Sequence, residues 1–154
     1  MIKFITDSNK KQEITKTILN DLQEWFGIPE STQEYIDNVI NLPFLVYEEN
    51  NIIKGFISLK ENSKYTCEIY VIGVLKKYHK NNIGKILFNE FYNYAKNKGY
   101  EFIQVKTVKE GLYPVYDITN SFYKSLGFKE FECFPTLWDK SNPCQIYVKH
   151  INRL

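Results

Sequence analysis

The sequence predicts a single mixed α/β domain of the α+β kind, in which helices flank a central sheet that is mixed but mostly antiparallel. Three observations predict it. A length of 154 residues suits one domain. Segments with strand-type and helix-type apolar patterns alternate along the chain. Only short turn signals separate them, so the domain spans residues 1–154 in the order β-α-α-β-β-β-α-β-α-β-β.

Four segments place apolar residues at helical spacing between helix-type boundaries. Asp7 or Ser8 can cap the first helix, and Ser31 with Glu34 matches a capping box in the second. Asp117 can cap the fourth helix, which ends before a glycine. The predicted helices run from Ser8 to about Trp25, from Glu30 to Ile40, from about Gly84 to Lys98 and from Asp117 to Leu126.

Seven segments are rich in β-branched and aromatic residues. Three of them follow one another with short polar turns, which favours antiparallel pairing. The next strand follows a helix, and a right-handed strand–helix–strand unit makes it parallel to its predecessor. A loop with Trp138 and Pro143 is expected between the last two. The predicted strands are Ile2–Ile5, Phe44–Glu48, Ile52–Leu59, Tyr65–Val74, Phe102–Thr107, Phe128–Phe134 and Gln145–Lys149.

A short basic turn, His79–Gly84, joins the apolar strand ending at Val74 to the third helix. Such a turn directs free backbone N–H groups and the positive end of a helix dipole at one point, which suits a phosphate group. Nearby lysines, among them Lys80 and Lys85, add positive charge. The alternative is an ordinary strand–turn–helix crossover with solvated lysines.

The same stretch resembles the acetyl-CoA-binding motif of the GNAT superfamily of N-acetyltransferases, Arg/Gln-x-x-Gly-x-Gly/Ala. The match is His79-x-x-Asn82-x-Gly84, in which His replaces Arg/Gln and Asn replaces the first Gly. Asn is well tolerated there because it adopts left-handed conformations more readily than other non-glycine residues. The order of elements also resembles the GNAT fold over nearly the whole chain. In that fold the fourth and fifth strands splay apart to admit the pantetheine arm.

The resemblance implies acetyl-CoA as the acyl donor, with contacts from the basic turn and from the fourth helix. Many family members carry Asn where Tyr116 stands, so this sequence departs from the pattern at that contact. The implied donor-binding residues are Val74, His79, Lys80, Asn81, Asn82, Ile83, Gly84, Lys85, Tyr116 and Thr119.

A second motif, Ser121–Phe128, resembles the GNAT segment that ends in Leu-Gly-Phe. Ile118, Phe122 and Leu126 share one helix face and are expected in the core. Tyr123 then lies at the margin of the core, with its hydroxyl directed at a cleft. In the family the matching tyrosine protonates the leaving thiolate of CoA or holds the thioester sulfur. The alternative is a core tyrosine, since aromatic residues make up 16% of the chain.

Glu68 is the candidate general base that takes the proton of the attacking amine. It is an ionisable residue within an apolar strand, and its spacing to His79 resembles that of histone-type GNAT enzymes. Strand alternation predicts that it faces the same side as Tyr70 and Ile72. A backbone N–H near Val74 is expected to hold the oxyanion if a bulge turns it outward. The alternative is a glutamate in solvent or in a salt bridge with a lysine across the sheet.

The composition of the chain limits which partners the protein binds and where in the cell it is expected. A net charge of +2 gives no strong attraction to nucleic acid or to an anionic membrane. His79 and His150 lie far apart and form no metal-ligand spacing, so no metal is expected. The odd number of cysteines, Cys67, Cys133 and Cys144, favours a reduced cytoplasmic setting. The sequence contains no run of about 18 apolar residues, so no membrane span is predicted.

The sequence and the resemblance together predict an N-acetyltransferase that moves acetyl from acetyl-CoA to a primary amine by direct attack in a ternary complex. The acceptor is a small molecule or a peptide, and a homodimer is among the open oligomeric states. An apolar cluster of Trp25, Phe26 and Ile28 either borders the acceptor pocket or joins two helices, and loop residues Tyr113 and Trp138 are further candidates for the pocket. The competing function is a non-catalytic acyl-CoA-binding sensor or partner module.

Overall fold

The computed structural model describes residues 1–153 and has the predicted order of elements. Its helices are α1 (Ser8–Asp21), α2 (Pro29–Asn38), α3 (Ile83–Asn97) and α4 (Pro114–Ser125). Its strands are β1 (Ile2–Phe4), β2 (Phe44–Glu49), β3 (Ile52–Glu61), β4 (Thr66–Val74), β5 (Phe102–Val108), β6 (Lys129–Asp139) and β7 (Asn142–His150).

All seven strands form one sheet in the order β1-β2-β3-β4-β5-β7-β6. The pair β4–β5 is parallel and every other neighbouring pair is antiparallel. This follows from the connections, because short turns join antiparallel strands whereas α3 carries the chain from β4 to a parallel β5. The predicted mixed, mostly antiparallel sheet is confirmed.

Helices cover both faces of the sheet, and each face has its own apolar core. On what we call the α3 face, Leu87 and Phe91 pack with strand residues such as Ile57, Ile69 and Ile103. On the opposite α1 face, the buried side chains are Ile14, Ile18, Leu19, Val39, Phe44, Phe56 and Val71. Each such side chain contributes about 1.5–3 kcal/mol when it leaves water. Helix α4 packs on the α3 face through Tyr123.

The sheet opens between β4 and β5. The two strands pair only over Thr66–Glu68 and Phe102–Gln104, and then continue to Val74 and Val108 without pairing to each other. We call this gap the V. It is the splay that the resemblance implies, and Glu68 lies at its base.

A β-bulge at Tyr70 reverses the order in which the side chains of β4 alternate between the two faces of the sheet. Val71 pairs with Ser58 and Ile69 with Leu59, so Tyr70 has no partner on β3. Tyr70 and Val71 therefore both lie on the α1 face, while Ile72 packs on the α3 face. The prediction that Ile72 lies beside Glu68 is wrong, because the extra residue reverses the alternation beyond it. The bulge also lies well before Val74, where it was expected.

Two helix ends differ from the predictions. Helix α1 ends at Asp21 rather than near Trp25, which lies in the following turn. Helix α2 begins with Pro29 at its first position, where a missing N–H costs nothing. The expected capping box at Ser31 and Glu34 does not form, because these residues already lie inside the helix.

Helix α4 and strand β7 begin earlier than expected, and strand β6 ends later. Helix α4 starts at Pro114, and the Asp117 carboxylate accepts a hydrogen bond from the Gly111 N–H at 2.7 Å instead of capping the helix. Strands β6 and β7 form a long hairpin, so Trp138 and Pro143 lie in strands rather than in a wide loop.

The apolar pattern of α4 predicts its buried face only in part. Phe122 and Leu126 are half-buried and pack against the core of the α3 face, but Ile118 is 65% exposed. Asn120 and Tyr123 are buried instead. The Asn120 amide donates to the Val108 carbonyl at 2.9 Å, and its oxygen accepts from the Tyr147 hydroxyl at 2.5 Å. A buried polar side chain is tolerated when its hydrogen bonds are satisfied, so Asn120 ties α4 to β5 and β7.

Replacing Asn120 by leucine is expected to lower the free energy of unfolding by about 2–4 kcal/mol, because the Val108 carbonyl and the Tyr147 hydroxyl lose their buried partner. Urea unfolding measures the change. Tyr147→Phe separates the two bonds, since it removes the hydroxyl and keeps the Val108 bond, and it should cause only part of the loss. If Asn120→Leu unfolds at the parental urea concentration, the network does not stabilise the docking of α4.

Candidate active site

The turn between β4 and α3 exposes the first N–H groups of a fifteen-residue helix. Asn82 precedes the helix in the left-handed conformation (φ 62°), and its side chain makes no capping bond within residues 1–153. The N–H groups of Ile83, Gly84 and Lys85 have no hydrogen-bond partner in the same described range. These N–H groups lie at the positive end of the α3 dipole and could hold a phosphate group, and Lys80 in the same turn is also left-handed (φ 69°).

Gly84 has a packing role as well. A Cβ atom at this position would lie 3.1 Å from the ring of Phe122, so glycine lets α3 approach α4 closely. A bulky substitution at Gly84 would therefore disturb helix packing together with the turn. Lys85 is exposed and offers a cleaner test of the phosphate site.

Lys85→Glu is expected to weaken acetyl-CoA binding by at least about tenfold, because it places a negative charge at the helix end that would hold phosphate. Isothermal titration calorimetry measures the affinity. Lys10→Glu is the matched control, since it makes the same charge change on an exposed residue in the first turn of α1. Equal affinities of the parent and Lys85→Glu would exclude this helix end from the donor site.

The His79 side chain shapes the turn from within. Its Nε2 lies 2.7 Å from the Val74 carbonyl oxygen, and because a carbonyl only accepts, this nitrogen carries the hydrogen. The ring also meets the edge of Trp25 at 5.9 Å between centroids. His79 therefore fixes the end of β4 relative to the turn.

Trp25 spans the top of the V from the turn to α4. Its indole N–H donates to the Thr119 hydroxyl at 3.0 Å and to the Val115 carbonyl at 3.2 Å. The Tyr116 hydroxyl donates to the Trp25 carbonyl at 2.9 Å. The side chains of Tyr116 and Thr119 thus contact Trp25, and their contact with the donor stays a prediction.

Glu68 is buried, and its two carboxylate oxygens differ. Oε1 accepts hydrogen bonds from the side-chain amides of Asn62 and Gln104, both at 2.9 Å, and lies 3.7 Å from the Lys106 ammonium. Oε2 accepts no hydrogen bond from residues 1–153. In that range every fully buried side-chain oxygen or nitrogen has a hydrogen-bond partner. Since Oε2 has none, it is not fully buried and keeps contact with solvent. Glu68, at the base of the V, is thus held through one oxygen, and the other has no partner in the described residues.

Tyr123 extends from α4 into the core, where its ring packs against Phe128 and Tyr147. Its hydroxyl has no hydrogen-bond partner in the described part of the chain and, by the same argument, keeps contact with solvent. Burial, and to a lesser extent the neighbouring Tyr35, raise the pKa of the Tyr123 phenol above its usual value. The group is therefore a neutral proton donor over the whole physiological range.

Tyr35 packs beside Tyr70 on the α1 face and was not predicted from the sequence. Its ring meets that of Tyr70 edge-on at 5.1 Å, and Phe26 packs against it at 5.8 Å. Burial raises the pKa of Tyr35 to about 12, and Tyr70 and Glu68 add to the shift. An aromatic residue on a helix gives no sequence signal that separates this position beside Tyr70 from core packing.

Some of the loop residues predicted to line the pocket contact the site, and others are exposed to solvent. Trp25 and Phe26 contact the site as described, but Ile28 is 55% exposed. The Tyr113 hydroxyl donates to the Ser141 carbonyl at 2.8 Å and connects α4 to the β6–β7 turn, where Trp138 is exposed. The two amide side chains that bind Glu68 were not predicted, because only the pairing of the strands brings them to this carboxylate. They belong to Asn62 and Gln104.

Within residues 1–153, no three His, Cys, Asp or Glu side chains come together in a way that could hold a metal ion. In the same range, no helix has the length and apolar character needed to cross a membrane. Burial raises the pKa of the Cys67 thiol to about 12 and that of Cys144 to about 11, so both thiols remain protonated.

Several solved structures share the fold along almost the entire chain. A GNAT-family protein from Desulfovibrio desulfuricans superposes with a TM-score of 0.83 at 16% identity, covering 99% of this chain and 100% of its own. The aminoglycoside 6'-N-acetyltransferase from Enterococcus faecium gives 0.75 at 19% identity, covering 100% and 98%. A GNAT-family acetyltransferase from Elizabethkingia anophelis with acetyl-CoA bound gives 0.73 at 19% identity, covering 97% of each chain. No curated protein matches the chain.

At these identities the solved structures establish the fold alone. The family itself follows from the sequence, because the model of the acetyltransferase (GNAT) family matches residues 15–128. That range runs from α1 through the V and the phosphate-type turn to the end of the Leu-Gly-Phe motif. The chain belongs to the GNAT family of acetyltransferases.

Proposed function

We propose that this protein transfers the acetyl group of acetyl-CoA to a primary amine by direct attack in a ternary complex. Two groups without a hydrogen-bond partner in residues 1–153 carry the proposal: Glu68 Oε2 at the base of the gap, and the Tyr123 hydroxyl on the α3 face of the same sheet. The helix end beside that gap suits the phosphates of the donor. A structural neighbour binds acetyl-CoA, which supports the same donor here.

In the proposed step the amine nitrogen forms a bond to the thioester carbonyl carbon, and the bond from that carbon to sulfur breaks. Glu68 takes a proton from the amine, directly or through water, and Tyr123 gives a proton to the departing sulfur. The carbonyl oxygen carries negative charge in between. Alternate N–H groups of β4 beyond Glu68 have no β5 partner, so they are available to hold it.

A thiol-release assay tests the proposal. Acetyl-CoA binding is measured first, and the release of free CoA is then followed with a panel of small amines and short peptides. We expect amine-dependent release well above the rate of hydrolysis without an amine. Binding of acetyl-CoA with no release from any amine would contradict the transferase function and support the non-catalytic acyl-CoA-binding module.

A further inference from the structure

On the α1 face of the V, one carboxylate stands between two lysines. Lys60 lies opposite Glu68 on β3, and Lys106 lies on the β5 wall with its Nζ 3.7 Å from Glu68 Oε1. That separation is too long for a hydrogen bond. Neither ammonium makes a hydrogen bond to another side chain or to a carbonyl of residues 1–153, so the donors of both remain available for a ligand. Lys60 is exposed to solvent, so the Lys106 ammonium is the one that lies beside the carboxylate at the base of the V.

The β4 wall of the same opening is aromatic. Tyr70 projects from the bulge, and Tyr35 of α2 packs edge-on against it. The Tyr70 hydroxyl is already fixed, since it accepts from the Asn38 amide at 2.9 Å. Glu34 on α2 is a further carboxylate on this side, but it is exposed to solvent. The opening thus joins an aromatic wall, one uncommitted carboxylate oxygen and one uncommitted ammonium.

We propose that the acceptor is an α- or β-amino acid, whose amine meets Glu68 Oε2 while its carboxylate binds the Lys106 ammonium. The inference rests on the proposed function and names the substrate class of the same site. The short distance from Nζ to the Glu68 carboxylate requires an amine and a carboxylate close together in the ligand. The uncommitted Lys106 ammonium at the base of the opening disfavours a polycationic acceptor such as an aminoglycoside.

Matched pairs of amines test the proposal. Phenylalanine is compared with 2-phenylethylamine, and methionine with 3-(methylthio)propylamine, so that each pair differs only in the carboxylate. We expect kcat/KM to be at least about tenfold higher for the amino acid, the order of one hydrogen bond between charged groups. Kanamycin serves as the polycationic acceptor and should be poorer than either amino acid.

Lys106→Met tests whether the Lys106 ammonium causes the preference for the carboxylated amine, since methionine keeps a long unbranched side chain without the charge. The ratio of kcat/KM between the members of a pair should fall to near one. Lys3→Met is the matched control, because Lys3 is also a strand lysine paired with a glutamate, at the far edge of the sheet. A parental ratio in Lys106→Met, or no preference for the carboxylated amine in the parent, would overturn the proposal.

The two proposals fail differently. Transfer to plain amines without preference for amino acids contradicts only the assignment of the substrate class. If no amine is acetylated, the transferase function fails, and the substrate class is then tested by calorimetry of each amine pair in the presence of CoA. Equal affinities within the pairs would overturn the amino-acid site, whereas tighter binding of the carboxylated member that is lost in Lys106→Met would support it.

Discussion

Replacing Glu68 by glutamine is expected to lower kcat/KM for the amine at neutral pH by about 100- to 10,000-fold, the usual contribution of general base catalysis. The fold should survive, because the glutamine carbonyl can still accept from the amides of Asn62 and Gln104. Only the uncommitted oxygen is replaced by an NH₂ group. Steady-state kinetics with acetyl-CoA at saturation measures the loss.

The pH dependence of this variant is a second measure. Without a base, the reaction uses the free amine, whose fraction rises about tenfold per pH unit below an amine pKa of about 10.4. Because burial raises the pKa of Tyr123, the proton donor is still present at high pH, so part of the rate should return there. Glu48→Gln is the control, as it removes another paired strand glutamate. A parental rate and pH profile in Glu68→Gln would make Glu68 structural.

Replacing Tyr123 by phenylalanine is expected to lower kcat by about 100- to 10,000-fold with little change in acetyl-CoA affinity, because the phenol acts on the sulfur as it departs. Stability should change little, since the lost hydroxyl has no hydrogen-bond partner in residues 1–153. Single-turnover rates measure the chemical step directly. They separate it from product release.

Tyr94→Phe is the control for the loss of a phenol. Tyr94 lies on α3, packs against Phe4 at the β1 edge and, in the described range, donates no hydrogen bond through its hydroxyl. It should keep the parental single-turnover rate. If Tyr123→Phe keeps it as well, Tyr123 is a core residue and the departing sulfur receives its proton from solvent.

The order of elements could be predicted because each one carries its own pattern. The run that ends at Val74 has strand composition, and the apolar residues that follow Gly84 have helical spacing. Glu68 could be predicted as a candidate base for a similar reason, because it is an ionisable residue in an apolar strand. These are local signals, and neighbours along the chain suffice to read them.

Other features depend on contacts between distant segments. The bulge at Tyr70 contains no glycine to mark it, and it alone turns Ile72 away from Glu68. Asn120 reads as an exposed helix residue until its partners on β5 and β7 are known. Tyr35 is typical of a core residue by its sequence, although it packs against Tyr70 at the opening. None of these can be read from residues that are neighbours in sequence.

The parting of β4 from β5 gives the protein strand edges at the centre of its sheet. Amides at the centre of a sheet are ordinarily the last to exchange their hydrogens with solvent, because they open only with the whole domain. Here, alternate amides of β4 beyond Glu68 face the gap and have no partner on β5. We therefore expect the most central strand to carry amides that exchange as fast as those of an edge strand, and a ligand bound in the gap to slow that exchange.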